Sequence, residues 1–453
     1  MSKIILYLLL SAIFISSTFS QEVPRNRKEF LKKEIEKANS FIQDDEIKQY
    51  KYQQMSMSAF AFYRATAHLY YKDLSTGTIN IPSEWKNEAN ISTWLNGDFH
   101  LQNIGFLDNQ TAIFFDLNDF DESYIGPFYW DTIRFIVSLF LIQEQVSFDF
   151  SDEEMQEACS LFLKEYQDTL SLVEGNGKEK YTELNKENIS GFILDTFKSL
   201  VKNKSNAKLL KKWTLTTQNQ RFFDFSNGDL KKMEAGETYE IKGAFSTYLK
   251  DIGNFYGKNP DYFRIKDMAS RLYSGLGSLG VKKYYALIEG PSSELDDDVL
   301  LEIKESRSSN ILQATQESIT FKYNAQRIKA AYQNMRTRID PHVGVLTSMK
   351  KSYFITKISP WKDGYEPADF KSKGNLFSFL QHSAQALAYA HSRSDEDKPS
   401  SNIPYSFEFQ AVNAIKKWPS AKTTMIELAQ KYAKQVIIDF ELFKEILVEN
   451  DLK

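Results

Sequence analysis

The residues best suited to chemistry lie between Gly97 and Asp116. Gly97-Asp98-Phe99-His100-Leu101-Gln102-Asn103 brings a carboxylate, an imidazole and an amide together, and Phe115-Asp116 adds a second carboxylate. A hard divalent cation such as Mg2+ or Mn2+ takes oxygen ligands, and phosphoryl transfer also needs an acceptor that orients the attacking hydroxyl. Asp98 suits the orienting role, with His100 as a second candidate catalytic group, while Asn103 and Asp116 suit the metal. Asp119, Asp121 and Glu122 follow closely. They form either a solvated acidic turn or a place for a second cation or a cationic substrate, with Asp119 as a further metal candidate.

A hairpin could bring these groups together. Asp108-Asn109-Gln110 is a turn-forming trio between Ile104 to Leu107 and Thr111 to Phe115, so facing residue numbers should sum to about 218. That register pairs Asn103 with Phe115 and opens Asn103 and Asp116 at one end of the hairpin. Asp98 sits just before it, on a loop that Gly97 allows to turn tightly. Asp131 and Arg134, on the apolar helix that follows, read as structural braces.

A second constellation lies far downstream. Gly275-Leu276-Gly277-Ser278-Leu279-Gly280 precedes a strand, not a helix, which argues against a dinucleotide fingerprint and for a glycine-rich loop joining two strands over phosphates. Gly275, Gly277, Ser278 and Gly280 are therefore phosphate or nucleotide candidates, and Lys304 of Glu302-Ile303-Lys304 would reach the phosphates from the next strand. Arg64, alone on an apolar helix face, needs a buried acid or an anionic ligand. His391 and Arg393 either pack structurally or reach the site.

GDFHLQN resembles the catalytic loop of kinase-like phosphotransferases such as the aminoglycoside and choline kinases. That resemblance implies Asp98 as catalytic aspartate, Asn103 and Asp116 as metal ligands, and Asp131 of Trp130-Asp131 as the brace of the loop. Asn96 stands where many of these kinases carry His, which should weaken the bracing. GDFHLQNIGF, FFDLNDFDESYIGPFYWDTIRF, GLGSLG, LEIKES and LAYAHSRS together resemble the bacterial family called domain of unknown function 2252. Since the glycine loop and Lys304 follow the catalytic loop here, the implied two-lobed, protein-kinase-like fold would be circularly permuted. The helix Phe321 to Arg338 offers no Glu to pair with Lys304, leaving Gln326, Glu305 or Glu317 as substitutes. Glu302 stands where an adenine pocket wants a small apolar side chain.

The surrounding elements read as helix-rich α+β. Helices are expected over Arg27 to Tyr52, Met55 to Leu74, Tyr129 to Gln143 and, opened by a Ser151/Glu154 capping box, to about Val173. A lysine-rich, mostly helical stretch should run to about Leu215. Strands are expected over Lys282 to Glu289, Val299 to Lys304 and Tyr353 to Ile358, and helices beyond Lys371. Residues 21–261 would form the first part of the large lobe, 262–358 the small lobe and 359–453 the second, helical part of the large lobe.

A net charge of -4 gives no general attraction to nucleic acid, and the basic residues of Arg25 to Lys37 and Lys202 to Lys212 read as solvated helix faces. Lys3, the apolar run Ile4 to Ile15, and Thr18 and Ser20 ahead of Gln21 form a signal peptide over residues 1–20. Export to the periplasm or beyond, cleavage near Ser20 and no stable membrane insertion afterwards are expected. The single Cys159 lies in an apolar-periodic run and reads as core. The expected activity is an exported, metal-dependent kinase-like phosphotransferase or nucleotidyltransferase, with a nucleotide as possible donor and a small-molecule or protein acceptor that the sequence leaves open. The alternatives are a metal-dependent phosphoesterase and a non-catalytic ligand-binding pseudokinase.

Overall fold

The computed structural model describes residues 27–449 and 452, except 227, 254–258, 260 and 350. The expected export signal lies outside the described residues. Cys159 is fully buried, as its apolar surroundings imply.

Four short strands surround the first motif: β1 (Ser92–Leu95), β2 (Ile104–Asp108), β3 (Ile113–Leu117) and β4 (Tyr124–Pro127). Strand β5 (Leu184–Asn185) extends the β2–β3 hairpin, and β6 (Thr214–Thr217) and β7 (Gln220–Phe223) form a second hairpin. The remaining strands are β8 (Leu230–Lys232), β9 (Ile265–Arg271), β10 (Lys283–Ile288), β11 (Val299–Glu305), β12 (Gly344–Thr347) and β13 (Ser352–Lys357). These six make one antiparallel sheet in the order β12-β13-β11-β10-β9-β8.

Both faces of this sheet are covered, which is why β10 reads as a nearly continuous apolar run. Tyr284, Ala286 and Ile288 pack with Ile241, Phe245 and Tyr248 of the helix Ala235–Ile252. Tyr285 and Leu287, on the opposite face, pack with Leu210, Trp213 and Phe223. The helix Asn324–Met335 follows β11 and packs against β12 and β13.

The rest of the molecule is mostly helical. Tyr129–Ile142 is buried along almost its whole length and packs against Ala421–Val448, while Asp152–Val173 packs against Lys373–Arg393. The Ser151/Glu154 capping box opens Asp152–Val173 as expected. The structure is thus helix-rich α+β.

Several expectations need correction. The first helix ends at Asn39 and a second starts at Asp45, because the Asp44 carboxylate accepts from the Glu46 and Ile47 N–H groups and restarts the chain there. The segment Met55 to Leu74 likewise divides into Ala59–Ala65 and Ala67–Thr76. Arg27 is not part of a solvated face: it is buried and bonded to both Asp73 and Asp439. The lysine-rich stretch leaves helix at Trp213, and Gln218 and Asn219, both at positive φ, turn β6 into β7.

Candidate functional site

The first hairpin is offset from its expected register. Ile104 faces Leu117 and Gly105 faces Asp116. The turn uses Asn109 to Ala112, because Asn109 Oδ1 accepts from the Thr111 and Ala112 N–H groups and Gln110 takes a φ of 71°. Asn103 therefore meets Asn118, whose N–H donates to the Asn103 carbonyl at 2.8 Å. Asp116 falls behind the open end. Its carboxylate accepts from the Leu117 N–H at 2.8 Å and lies 4.0 Å from Arg393 Nη1. Burial raises its carboxyl above the ordinary range despite Arg393 and Arg336 nearby.

Asp98 and Asn103 line a cleft of about 760 Å³ together with His100, Asp119, Asp121 and Glu122. Gly275, Gly277 and Ser278 border the same cleft, so two segments far apart in sequence converge there. Burial pushes the Asp98 carboxyl up, but the adjoining Arg134 and His100 pull it further down, leaving it below its ordinary value. Arg134 Nε donates to Asp98 Oδ1 at 2.9 Å. His100 Nδ1 accepts from the Gln102 N–H, which turns Nε2 toward Asp98 Oδ2 at 3.6 Å. Asn103 Nδ2 donates to the Asp98 carbonyl at 2.8 Å, and Asn103 Oδ1 has no hydrogen-bond donor among the described residues.

The loop carrying Asp98 is braced from beneath. Asp131 accepts from the Asn96 N–H at 2.7 Å and the Gly97 N–H at 3.0 Å. His391 Nε2 lies 3.3 Å from Asp131, and His391 Nδ1 lies 2.8 Å from the Tyr166 hydroxyl. Asn96 does not weaken this bracing, since its side-chain amide donates to the carbonyls of Asn118 and Asp119, both at 2.9 Å. Gly97 is obligatory here: at φ +83°, a Cβ would lie 2.4 Å from the Glu122 carbonyl oxygen. Arg393 is structural, donating to the carbonyls of Glu179, Met335 and Thr182.

The glycine-rich segment joins β9 to β10, as expected of a loop between strands. Gly280 faces away from the cleft, where a Cβ would meet Ile42 at 2.5 Å. Lys304, on β11, reaches Asp119 Oδ2 at 3.2 Å and bonds Asp121. The partners of Lys304 thus come from across the cleft: Glu305 pairs with Lys351, Gln326 caps its own helix, and the Glu317 N–H bonds Thr315. Asp119 and Asp121 are accordingly tied to the sheet by Lys304 while staying partly exposed. Burial raises both carboxyls, but Lys304 and more distant lysines hold Asp119 low, while Asp119 itself helps keep Asp121 high. Burial also pushes Glu122 up to about 7; its carboxylate accepts from the Asn310 N–H and amide.

One end of the cleft is a cationic wall, of which the sequence pointed only to Arg64. Lys51, Arg64 and Arg307 line the end of the cleft next to the glycine loop, beside a His68 that burial pushes down to about 3 and so keeps neutral, and Lys283 Nζ bonds Ser278 Oγ at 2.8 Å. Lys51 is buried, and its ammonium donates to the Gly277 carbonyl at 3.2 Å. A lysine inside the apolar stripe of Asp45–Met55 was the available signal.

A helix-rich α+β chain with a strand-borne glycine loop facing an Asp/Asn loop across a polar cleft is the class that fold and site define. The chain belongs to the family described as uncharacterized protein conserved in bacteria (DUF2252), which matches residues 43–446. No curated protein matches the chain, and no solved structure does. Among the described residues no helix is long and apolar enough to cross a membrane.

Proposed function

We propose that this chain is a metal-dependent, kinase-like phosphotransferase with its small lobe late in the sequence. The observation that carries the reading is the convergence of Asp98, Asn103 and Asp119 with the glycine loop and Lys304 about one cleft. The arrangement agrees with the kinase order of a glycine loop between the first two strands of the small lobe and a lysine on the third, here β9, β10 and β11. Asp98, kept ionised by Arg134, is suited to orienting an acceptor hydroxyl.

Among the described residues no group of three or more His, Cys, Asp or Glu side chains is gathered as a metal site. A magnesium ion commonly uses only one or two carboxylates and completes its shell with water and substrate phosphate, a demand that Asn103 Oδ1 fits, and Asp119 as well once Lys304, now 3.2 Å away, turns to the phosphates. When bound, it would neutralise phosphate charge. Asp116, turned toward Arg393, supports the hairpin. A two-cation phosphoesterase would need Asp98 and Asp116 as ligands, but Arg134 holds Asp98, and Asp116 is not among the residues lining the cleft.

The test is a thermal shift screen with magnesium or manganese and a panel of nucleoside triphosphates, pyrophosphate and tripolyphosphate, repeated on Lys304→Ala. A ligand at about one hundred times its dissociation constant adds about 2.7 kcal/mol. Should no phosphoanhydride shift the wild-type protein, the phosphotransferase reading is lost. Export belongs to the same proposal, and N-terminal sequencing of protein from the periplasmic or secreted fraction should begin at Gln21.

A further inference from the structure

Side chains alternate across a strand, so Glu302 and Leu300 share the face of β11 that carries Lys304, and Tyr285 and Leu287 continue that face on β10. In the kinase-like arrangement proposed above, this continuation is where a nucleoside attached to phosphates at Lys304 would pack. The chain has already filled it. Trp213 meets Tyr285 edge-on with ring centroids 5.4 Å apart, and Leu210, Phe223, Leu287 and Leu300 close into the same buried cluster. The helix Asn206–Trp213 and the β6–β7 hairpin thus occupy the place of a base.

The opposite end of the cleft has a different character. Lys51, Arg64 and Arg307 have no carboxylate within ion-pair distance among the described residues, although Asp98 and Glu366 act on Arg64, and Glu305 and Glu122 on Arg307, from farther off; Arg64 Nε is buried without a hydrogen-bond acceptor. Phe41, the aromatic ring at that end, has its face covered by the Arg307 guanidinium at 3.6 Å. Lys51 is buried, Arg64 is half-buried and Arg307 is exposed at the rim; a buried cation without counter-charge is costly, and a polyanion reaching Lys51 and Arg64 would supply that charge. Burial, with Arg307 and Lys283 close by, pushes Lys51 down to about 7.

We infer that the phosphate ligand of this cleft is a linear phosphoanhydride without a nucleobase, held beneath the glycine loop by Lys51, Arg64, Arg307 and Lys304. This rests on the phosphotransferase reading and names its ligand class. Lys51 and Arg64 come from the N-terminal helices, so those helices complete the site. The Lys51 bond to the Gly277 carbonyl holds the loop against them, and the backbones pack closely enough that a Cβ on Gly277 would lie 3.2 Å from the Arg64 carbonyl oxygen.

Isothermal titration of the full chain with tripolyphosphate and with ATP, each with excess magnesium, tests this. Tripolyphosphate is expected to bind at least as tightly as ATP. Lys51→Met and Arg64→Met are each expected to weaken tripolyphosphate about tenfold or more, the scale of one lost charge-assisted contact, with circular dichroism unchanged. ATP binding more than about tenfold tighter than tripolyphosphate, or tripolyphosphate affinity unmoved in both variants, would overturn the inference and leave the phosphotransferase reading standing. Failure of both ligands to bind would overturn the two together.

Discussion

The carboxylate of Asp98 rests on the buried guanidinium of Arg134, with Arg134 Nε donating to Asp98 Oδ1 at 2.9 Å. Arg134 also lies over the Tyr63 ring, 4.3 Å from its centroid. Replacing one partner of a buried pair strands the other, so Arg134→Met should destabilise the fold by about 3–5 kcal/mol in urea denaturation. Asp98→Asn, which keeps an acceptor oxygen for Arg134, should lose less stability while abolishing transfer. Because the fold holds Asp98 below its ordinary value, its contribution is present at neutral pH and lost as pH falls through the folded value. In Asp98→Asn that acid-side loss should shrink.

Asp131 should be indispensable to the shape of the loop without touching a ligand. Asp131→Ala leaves the Asn96 and Gly97 N–H groups buried and unpaired, each costing about 1–3 kcal/mol. Hydrogen exchange should rise at Asn96 and Gly97. Unchanged protection at those two amides would mean that the loop is held by other contacts.

What the sequence reveals depends on whether the cause is local. The Ser151/Glu154 cap, the glycine loop before β10 and the Asp131 brace were readable because a few neighbouring residues or a motif specify them. The register of the β2–β3 hairpin was not, since Asn109 sets a longer turn than the strand pattern alone suggests. Nor was the pairing of Lys304 with Asp119 and Asp121, which joins residues 185 positions apart in the Asp119 case. Arg27 was equally opaque, because its second partner, Asp439, belongs to the last helix.

That N-terminal clamp yields a stability prediction. Arg27 donates to Asp73 at 2.8 Å and to Asp439 at 2.9 Å, and Tyr432 donates to Asp73 at 2.9 Å. Arg27→Met would leave two carboxylates buried with no cation between them. A loss of about 3–5 kcal/mol is expected, together with faster proteolysis of the first helix. Addition of Asp73→Asn and Asp439→Asn should restore part of that stability, since neutral amides need no counter-charge.

Gly280 tests whether the glycine loop is docked. Its φ of +88° disfavours any side chain, and an added Cβ would meet Ile42 at 2.5 Å. Gly280→Ala should therefore cost about 1–3 kcal/mol through strain at the positive φ. It should also release the loop from the N-terminal helices, and Ile42→Ala should relieve the steric part of that cost but not the backbone part. Equal stability of Gly280→Ala and the double variant would mean that Ile42 is not the obstacle.

Lys51 gives the alkaline side of the stability profile. Burial and the neighbouring Arg307 and Lys283 push its ammonium down to about 7, whereas an unfolded lysine keeps its proton to about 10.4. Between these values the unfolded chain binds the extra proton, so stability should rise with pH across the window. Lys283 and Lys398, each lowered to about 8, act in the same direction, so the useful quantity is the difference between wild type and Lys51→Met. Urea midpoints at pH 6.5 and 9 should climb more steeply for the wild type. The variant should also be the more stable of the two at the lower pH, where wild-type Lys51 must carry its charge without a carboxylate beside it.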